Sequence, residues 1–243
     1  MRVAVISDIH ANLHALHAVL AEIDVETPDE VWCLGDLVGY GPRPNECCEV
    51  VRERADVCLV GNHDLVALGG ISIADFNPEA AAAARWTQEA LGDDARAFLE
   101  TLSPSADLER AQLFHASARD PVWEYVLTDE AALATLELTI APVVLVGHSH
   151  VALTVSRNER GLVVGGLAPA GTEHPVEDFR RLLNPGSVGQ PRDGDPRAAW
   201  LLLDFGARFA SFRRVAYPIE RTQSELLEAG LPQALAARLA VGQ

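Results

Sequence analysis

The sequence contains no lysine: all 19 of its basic residues are arginine, against 35 aspartates and glutamates. That excludes lysine-based covalent chemistry such as a lysine Schiff base. The net charge of -16 leaves no basic surface to neutralise a phosphate polymer, so bulk nucleic acid and anionic membrane are excluded as partners. A small phosphorylated substrate held by metal ions stays compatible, because bound cations dominate their local field. Cysteine is scarce. Cys47 and Cys48 are adjacent, Cys33 and Cys58 lie inside apolar runs, and no CxxC spacing or disulfide framework exists. No apolar run reaches transmembrane length and the first residues enter a strand with no charged leader, so a cytoplasmic, reducing location is expected. What is present suffices for one large core: 243 residues, 49% hydrophobic, expected to form a single domain over residues 1–243.

Short apolar runs predict strands at Arg2–Ser7, Glu30–Leu34, Asp56–Val60, Gln112–Phe114 and Pro142–Val146. Helical patterns fall between them. Asn12–Ile23 carries Leu13, Leu16, Leu20 and Ile23 on one face, and Pro44–Arg54 has proline in its first turn. Pro78–Leu91, Asp93–Leu102 and Thr128–Leu138 follow, the last capped by Thr128. From residue 151 strands dominate: Val151–Ser156, Gly161–Val164, Arg180–Leu183, Ala198–Asp204 and Ser211–Ala216, with turns at 158–161, 184–189 and 194–196 that favour antiparallel pairing. A last helix is expected over Gln223–Leu239. Alternation followed by a run of strands predicts an α/β fold, a sandwich of two mixed β-sheets flanked by α-helices.

Each of the first five strands ends in groups that bind metals. They deliver Asp8 and His10, then Asp36, then Asn62, His63 and Asp64, then His115, then His148 and His150. Side chains beyond the carboxyl ends of such strands converge on one crevice. A turn would account for Gly61 and Asn62, but not for a histidine and an aspartate directly after them. Imidazole and carboxylate without thiolate suit Mn, Fe, Zn, Ni or Co. Asp8, His10, Asp36, Asn62, His115, His148 and His150 make seven donors, enough for two divalent ions sharing one carboxylate. His148 and His150, two apart as on a strand, are placed to face different ions.

The set Asp8-Ile9-His10, Gly35-Asp36, Gly61-Asn62-His63-Asp64, His115 and Gly147-His148-Ser149-His150 resembles the calcineurin-like metallophosphoesterases. The stretches 35–47 and 182–204 look like its small bacterial and archaeal phosphodiesterase branch. The resemblance implies one ion held by Asp8, His10, Asp36 and His150, and a second by Asp36, Asn62, His115 and His148. It implies His63 as outer-sphere acid, kept protonated by Asp64, and a hydroxide between the ions that attacks phosphorus in line. It departs at Ala116 and Ser117, where the family often has glycine after the histidine.

Substrate contacts are open at this level. Asn62 and His63 are placed to meet the phosphate. Tyr40 either flanks the substrate or packs its own loop, and Arg192 either grips phosphate or pairs with Asp193 or Asp195. Asn12 either supports the site or caps its helix, and Trp123, Glu124 and Tyr125 read as a lid or a subunit contact. The function expected is a phosphodiesterase acting on small, nucleotide-derived diesters with manganese as the favoured ion. The alternatives are a phosphomonoesterase or dinucleoside polyphosphate hydrolase on the same site, and a non-catalytic protein-binding scaffold of the same fold.

Overall fold

Val3, Ala4, Val5 and Ile6 are all buried, and the pleat sends them to two destinations. Val3 and Val5 pack between two sheets, whereas Ala4 and Ile6 pack outward against helices. This is why β1 (Arg2–Ile6) reads as an unbroken apolar run. Leu201 and Leu203 repeat the arrangement against Trp200 and Leu202 in β11 (Ala198–Asp204), and Val143 and Leu145 against Val144 and Val146 in β6 (Val143–Val146).

The computed structural model describes residues 1–157, 163–176 and 180–243. In the first sheet β1 pairs in parallel with β2 (Glu30–Cys33), and β2 with β3 (Val57–Cys58). On its other edge β1 pairs antiparallel with β11, followed by β12 (Phe209–Val215) and β9 (Glu173–Pro175). The second sheet runs β4 (Ser105–Asp107), β5 (Ala111–Phe114), β6, β10 (Arg181–Asn184), β7 (Leu153–Arg157) and β8 (Val163–Leu167), with β5, β6 and β10 parallel. The architecture is therefore the expected α/β sandwich of two mixed sheets, six strands each.

Helices α1 (Leu13–Glu26), α2 (Pro44–Arg54) and α5 (Asp93–Glu100) cover the first sheet, and α6 (Asp129–Leu138) covers the second. Between α2 and α5 come α3 (Asn62–Ala67) and α4 (Pro78–Ala90). Asn12, Asn77 and Thr128 cap α1, α4 and α6, each accepting a backbone N–H three residues on. The expected final helix is two, α7 (Ile219–Glu228) and α8 (Gln233–Leu239). Gly230, at φ 73°, closes the first and Pro232, which has no N–H to donate, opens the second. The strands β4 and β9 carry no apolar alternation and had no signal in the sequence. Of the strand expected at Gly161–Val164, Val163 and Val164 lie in β8; Gly161 and Leu162, with the whole turn at 158–161, lie outside the described residues.

Candidate metal centre

The strand ends meet as expected, and the backbone bends sharply to make them do so. Asp8, His10, Asp36, His148 and His150 all have left-handed φ angles, 54°, 49°, 53°, 62° and 59°. Non-glycine residues adopt this region at a cost, and strain of this kind collects at functional sites. The bent loops are braced against one another. Asp8 N–H donates to Gly35 O (3.0 Å) and His10 N–H to Asp36 O (2.9 Å). Gly189 N–H and the Ser187 hydroxyl both donate to Asp8 O (3.0 and 2.7 Å). Across the sandwich His115 Nδ1 donates to Leu34 O (2.9 Å), and within the second sheet Gly147 N–H donates to His115 O (2.8 Å).

These backbone contacts fix which imidazole nitrogen carries the proton. Nδ1 of His10 donates to Val38 O (3.1 Å), and Nδ1 of His150 to Gln190 O (2.6 Å). With their protons on Nδ1, both rings present the Nε2 lone pair inward, and the two Nε2 atoms lie 3.0 Å apart. Two lone pairs at that distance repel unless a cation lies between the groups that carry them. His148 is turned the other way: its Nε2 donates to Trp123 O (3.2 Å), leaving Nδ1 as its free donor atom. Asp36 Oδ2 is buried without a hydrogen-bond partner, 3.6 Å from His10 Nε2 and 3.5 Å from His115 Nε2. An orphaned buried carboxylate oxygen between facing lone pairs fits divalent cations on both sides of it.

Two groups of donor atoms result, each gathered within 4.8 Å: Asp8, His10, Asp36 and His150, and Asp36, His115 and His148. Asp36 is common to both. Asn62 Oδ1 adjoins the second group, 3.3 Å from His115 Nε2. His148 and His150 do fall in different groups, but left-handed turns send them there: β6 ends at Val146, so strand alternation does not extend to them.

Burial raises Asp8 to about 7 and raises Asp36 well above the usual carboxylate range. The same burial lowers His10, His148 and His150, so these rings stay neutral and compete with no proton for an ion. The carboxylates do compete. Taking the pH from about 8 to about 6 crosses the Asp8 value and is expected to weaken Mn²⁺ binding about tenfold for that one proton. Calorimetric titration at the two pH values checks this; equal affinities would mean that Asp8 is ionised throughout.

The stretch Gly61-Asn62-His63-Asp64 is the first turn of α3, not a strand-closing turn. Gly61 is required there, since a Cβ would lie 2.0 Å from Asp36 Oδ1 and displace the shared carboxylate. Asp64 does not orient His63 as expected. Its oxygens accept the N–H groups of Val38 and Gly61, both at 2.9 Å, because neighbouring helical residues point about 100° apart. The His63 ring lies instead among rings, with centroids 4.4 Å from Tyr40, 4.6 Å from Phe76 and 4.8 Å from His10. Burial first, and the charge of Arg192 second, press its pKa well down, so the free protein holds a neutral imidazole.

Arg192 pairs with neither neighbouring aspartate. Asp193 bonds to Arg214 and Asp195 to Arg197, while Arg192 reaches the Gln190 amide oxygen (3.0 Å) and the Tyr40 hydroxyl (3.3 Å). Asn12 serves in both ways considered: it caps α1 and donates to Gly189 O (2.9 Å), bracing the loop behind Asp8. Glu124 is held by Ser117 and Arg119, and Tyr125 stacks on His148 with centroids 4.1 Å apart. Sequence reading missed Gln190, Asn184 and Phe76. The first two sit in the turn-rich stretch 182–204, where their amide side chains were a signal; Phe76 follows a single 3-10 turn and had none.

The fold and the two donor groups fit a phosphoester hydrolase with a dinuclear divalent-metal site. The calcineurin-like phosphoesterase superfamily domain model matches residues 1–207, and the chain belongs to that superfamily. A metallophosphoesterase crystal structure from Sphaerobacter thermophilus is 41% identical, covers 100% of this chain and 99% of its own, and superposes with a TM-score of 0.91. An uncharacterised protein of Methanocaldococcus jannaschii is 36% identical over 99% of this chain and 98% of its own. A hypothetical protein from Pyrococcus horikoshii OT3, 20% identical over 100% of this chain and 98% of its own, shares the fold with a TM-score of 0.81. The family and the two donor groups point to a dinuclear divalent-metal site. Among the described residues no helix is long and apolar enough to cross a membrane.

Proposed function

We propose that the protein is a manganese-dependent phosphodiesterase that hydrolyses small phosphodiesters, working as one cytoplasmic domain. Asp8, His10, Asp36 and His150 would hold one ion, and Asp36, Asn62, His115 and His148 the other. Bound there, the ions would supply Lewis acidity to the phosphate oxygens and make water acidic enough to ionise near neutral pH. The remaining work falls to side chains. The Asn62 amide N–H and the Arg192 guanidinium would donate to phosphate oxygens. The neutral His63 ring can hold a proton at one nitrogen against the leaving oxygen as negative charge builds on it. The free thiols of the four cysteines suit a reducing compartment.

The diester reading rests on the rim of the site. Phe76, half-buried, packs on His63 on one flank, with Tyr40 buried behind that ring, and Tyr125 stacks on His148 on the other. Both flanks offer apolar faces to ester substituents, and a monoester has only one substituent to offer. One observation favours a second reading. Among the described residues Arg192 has only neutral hydrogen-bond partners, so it can take the extra charge of a dianionic monoester or a polyphosphate chain.

Turnover of bis-p-nitrophenyl phosphate beside p-nitrophenyl phosphate, on chelator-stripped protein with and without added Mn²⁺, decides between them. Mn-dependent cleavage of the diester with little monoester turnover is expected. The opposite preference moves the protein to the second reading with the site intact. Two ions bound per chain without turnover of either substrate would leave a narrow polyphosphate substrate or the scaffold alternative.

A further inference from the structure

Three aromatic residues around the donor groups, Phe76, Trp123 and Tyr125, take no part in holding the ions or in moving the proton. Phe76 follows a 3-10 turn between α3 and α4, and Trp123 and Tyr125 lie in the loop between β5 and α6. The chain brings these separate segments together over the crevice. Phe76 packs on the His63 ring at 4.6 Å and meets Trp123 edge-to-face at 5.9 Å and 81°. Tyr125 lies nearly parallel to His148, 4.1 Å away at 25°, and keeps 47% of its surface exposed. The rings thus continue outward from the two histidines that border the donor groups, one in the second group and one beside it.

Packing alone would draw such rings into a core, yet Phe76 and Trp123 are only half-buried and Tyr125 is open to solvent. In a protein with so few aromatic residues (7 Phe, 4 Trp and 3 Tyr), three of them stand over one site. The loop that carries Trp123 is also fixed in place. Asp120 accepts the N–H groups of Val122 and Trp123 at 3.1 Å, Ser117 and Arg119 hold Glu124, and the Trp123 carbonyl accepts the His148 Nε2 proton. The backbone that carries Trp123 is therefore set relative to His148 before any ligand arrives. Pre-set aromatic faces beside a phosphate site recognise flat, electron-rich groups by stacking, and do so with little regard to which base is offered.

From this arrangement we propose that Phe76 and Trp123, flanked by Tyr125, form a stacking subsite for a planar aromatic ester substituent, a nucleobase in the first instance, so that the substrate class is nucleoside phosphodiesters. This rests on the phosphodiesterase reading for its chemistry, but its test does not depend on turnover. A nucleoside monophosphate, the product such a substrate would leave, keeps the base and the phosphate.

The test is calorimetric binding of adenosine 5′-monophosphate and of ribose 5-phosphate to the Mn-loaded protein and to its Trp123→Ala, Phe76→Ala and Trp123→Phe variants. Trp123→Ala removes the ring but keeps the carbonyl that His148 uses. The wild type is expected to bind the nucleotide at least about tenfold more tightly than the sugar phosphate, the size of effect that stacking one base on an aromatic side chain gives. Both alanine variants should lose that preference while ribose 5-phosphate affinity stays unchanged, and Trp123→Phe should retain most of it. Equal affinities in the wild type, no binding of the nucleotide, or a preference that survives both alanine variants would each overturn the subsite. A preference found in a protein that cleaves no diester would instead separate the subsite from the phosphodiesterase reading, and diester turnover without the preference would do the reverse.

Discussion

Asp36→Asn is expected to abolish activity, by at least about 10³-fold, because one side chain serves both donor groups. Removal of a single preorganised electrostatic group from an active site already costs about 10²–10³-fold. Here the loss would strike two ions at once. Asp36 Oδ1 accepts the His63 backbone N–H at 2.9 Å, so an asparagine would keep its oxygen there and turn its NH₂ toward His10 and His115. The orphaned Oδ2 would thereby become a donor facing lone pairs, satisfied without any cation. Metal analysis after dialysis should find less than one ion per chain, while the apoprotein's thermal transition stays in place or moves up. Two ions retained per chain would show that Asp36 is not shared.

His63→Ala should give the opposite pattern, in which both ions remain and the rate falls. His63 belongs to neither donor group, and its ring is set by Tyr40, Phe76 and His10 rather than by a metal. Help from a positioned acid is worth about 10²–10⁴-fold. The effect should be largest for an alkyl leaving oxygen and small for p-nitrophenolate, which departs without a proton. Equal losses on both leaving groups would assign His63 to binding the phosphate rather than to proton transfer. Asp64 makes a useful contrast, since its carboxylate holds the loop by accepting two backbone N–H groups. Its replacement should lower thermal stability before it alters the dependence on the leaving group.

The strands that carry the site and the side chains at their ends could be read from the sequence because both follow from local rules. A strand buried on both faces must be apolar throughout, as β1 and β6 are, and a polar group directly after such a run has to leave the core at its carboxyl end. That logic placed Asp8, His10, Asp36, Asn62, His115, His148 and His150 along one crevice, where the structure has them. Where a position depended on one residue's backbone angle or on a partner distant in sequence, the sequence carried no such information. Gly230 and Pro232 break the last helix, and only the packing of α7 and α8 around Tyr40 shows what that break serves. The partner of Asp64 was misjudged because adjacency in the chain does not mean adjacency in a helical turn. Phe76, in an irregular segment, reaches His63 only once the chain has folded.

By itself, then, the sequence determined the kinds of donor atoms, the sheets that carry them and the exclusion of lysine chemistry, since those depend on residue type and periodicity. The tertiary structure alone decided which imidazole nitrogen faces inward, that Arg192 has no carboxylate partner among the described residues, and that rings from two distant loops stand over the crevice. Those features depend on distances between segments as far apart as residues 40, 76, 123 and 192, which chain closure over the whole sandwich sets.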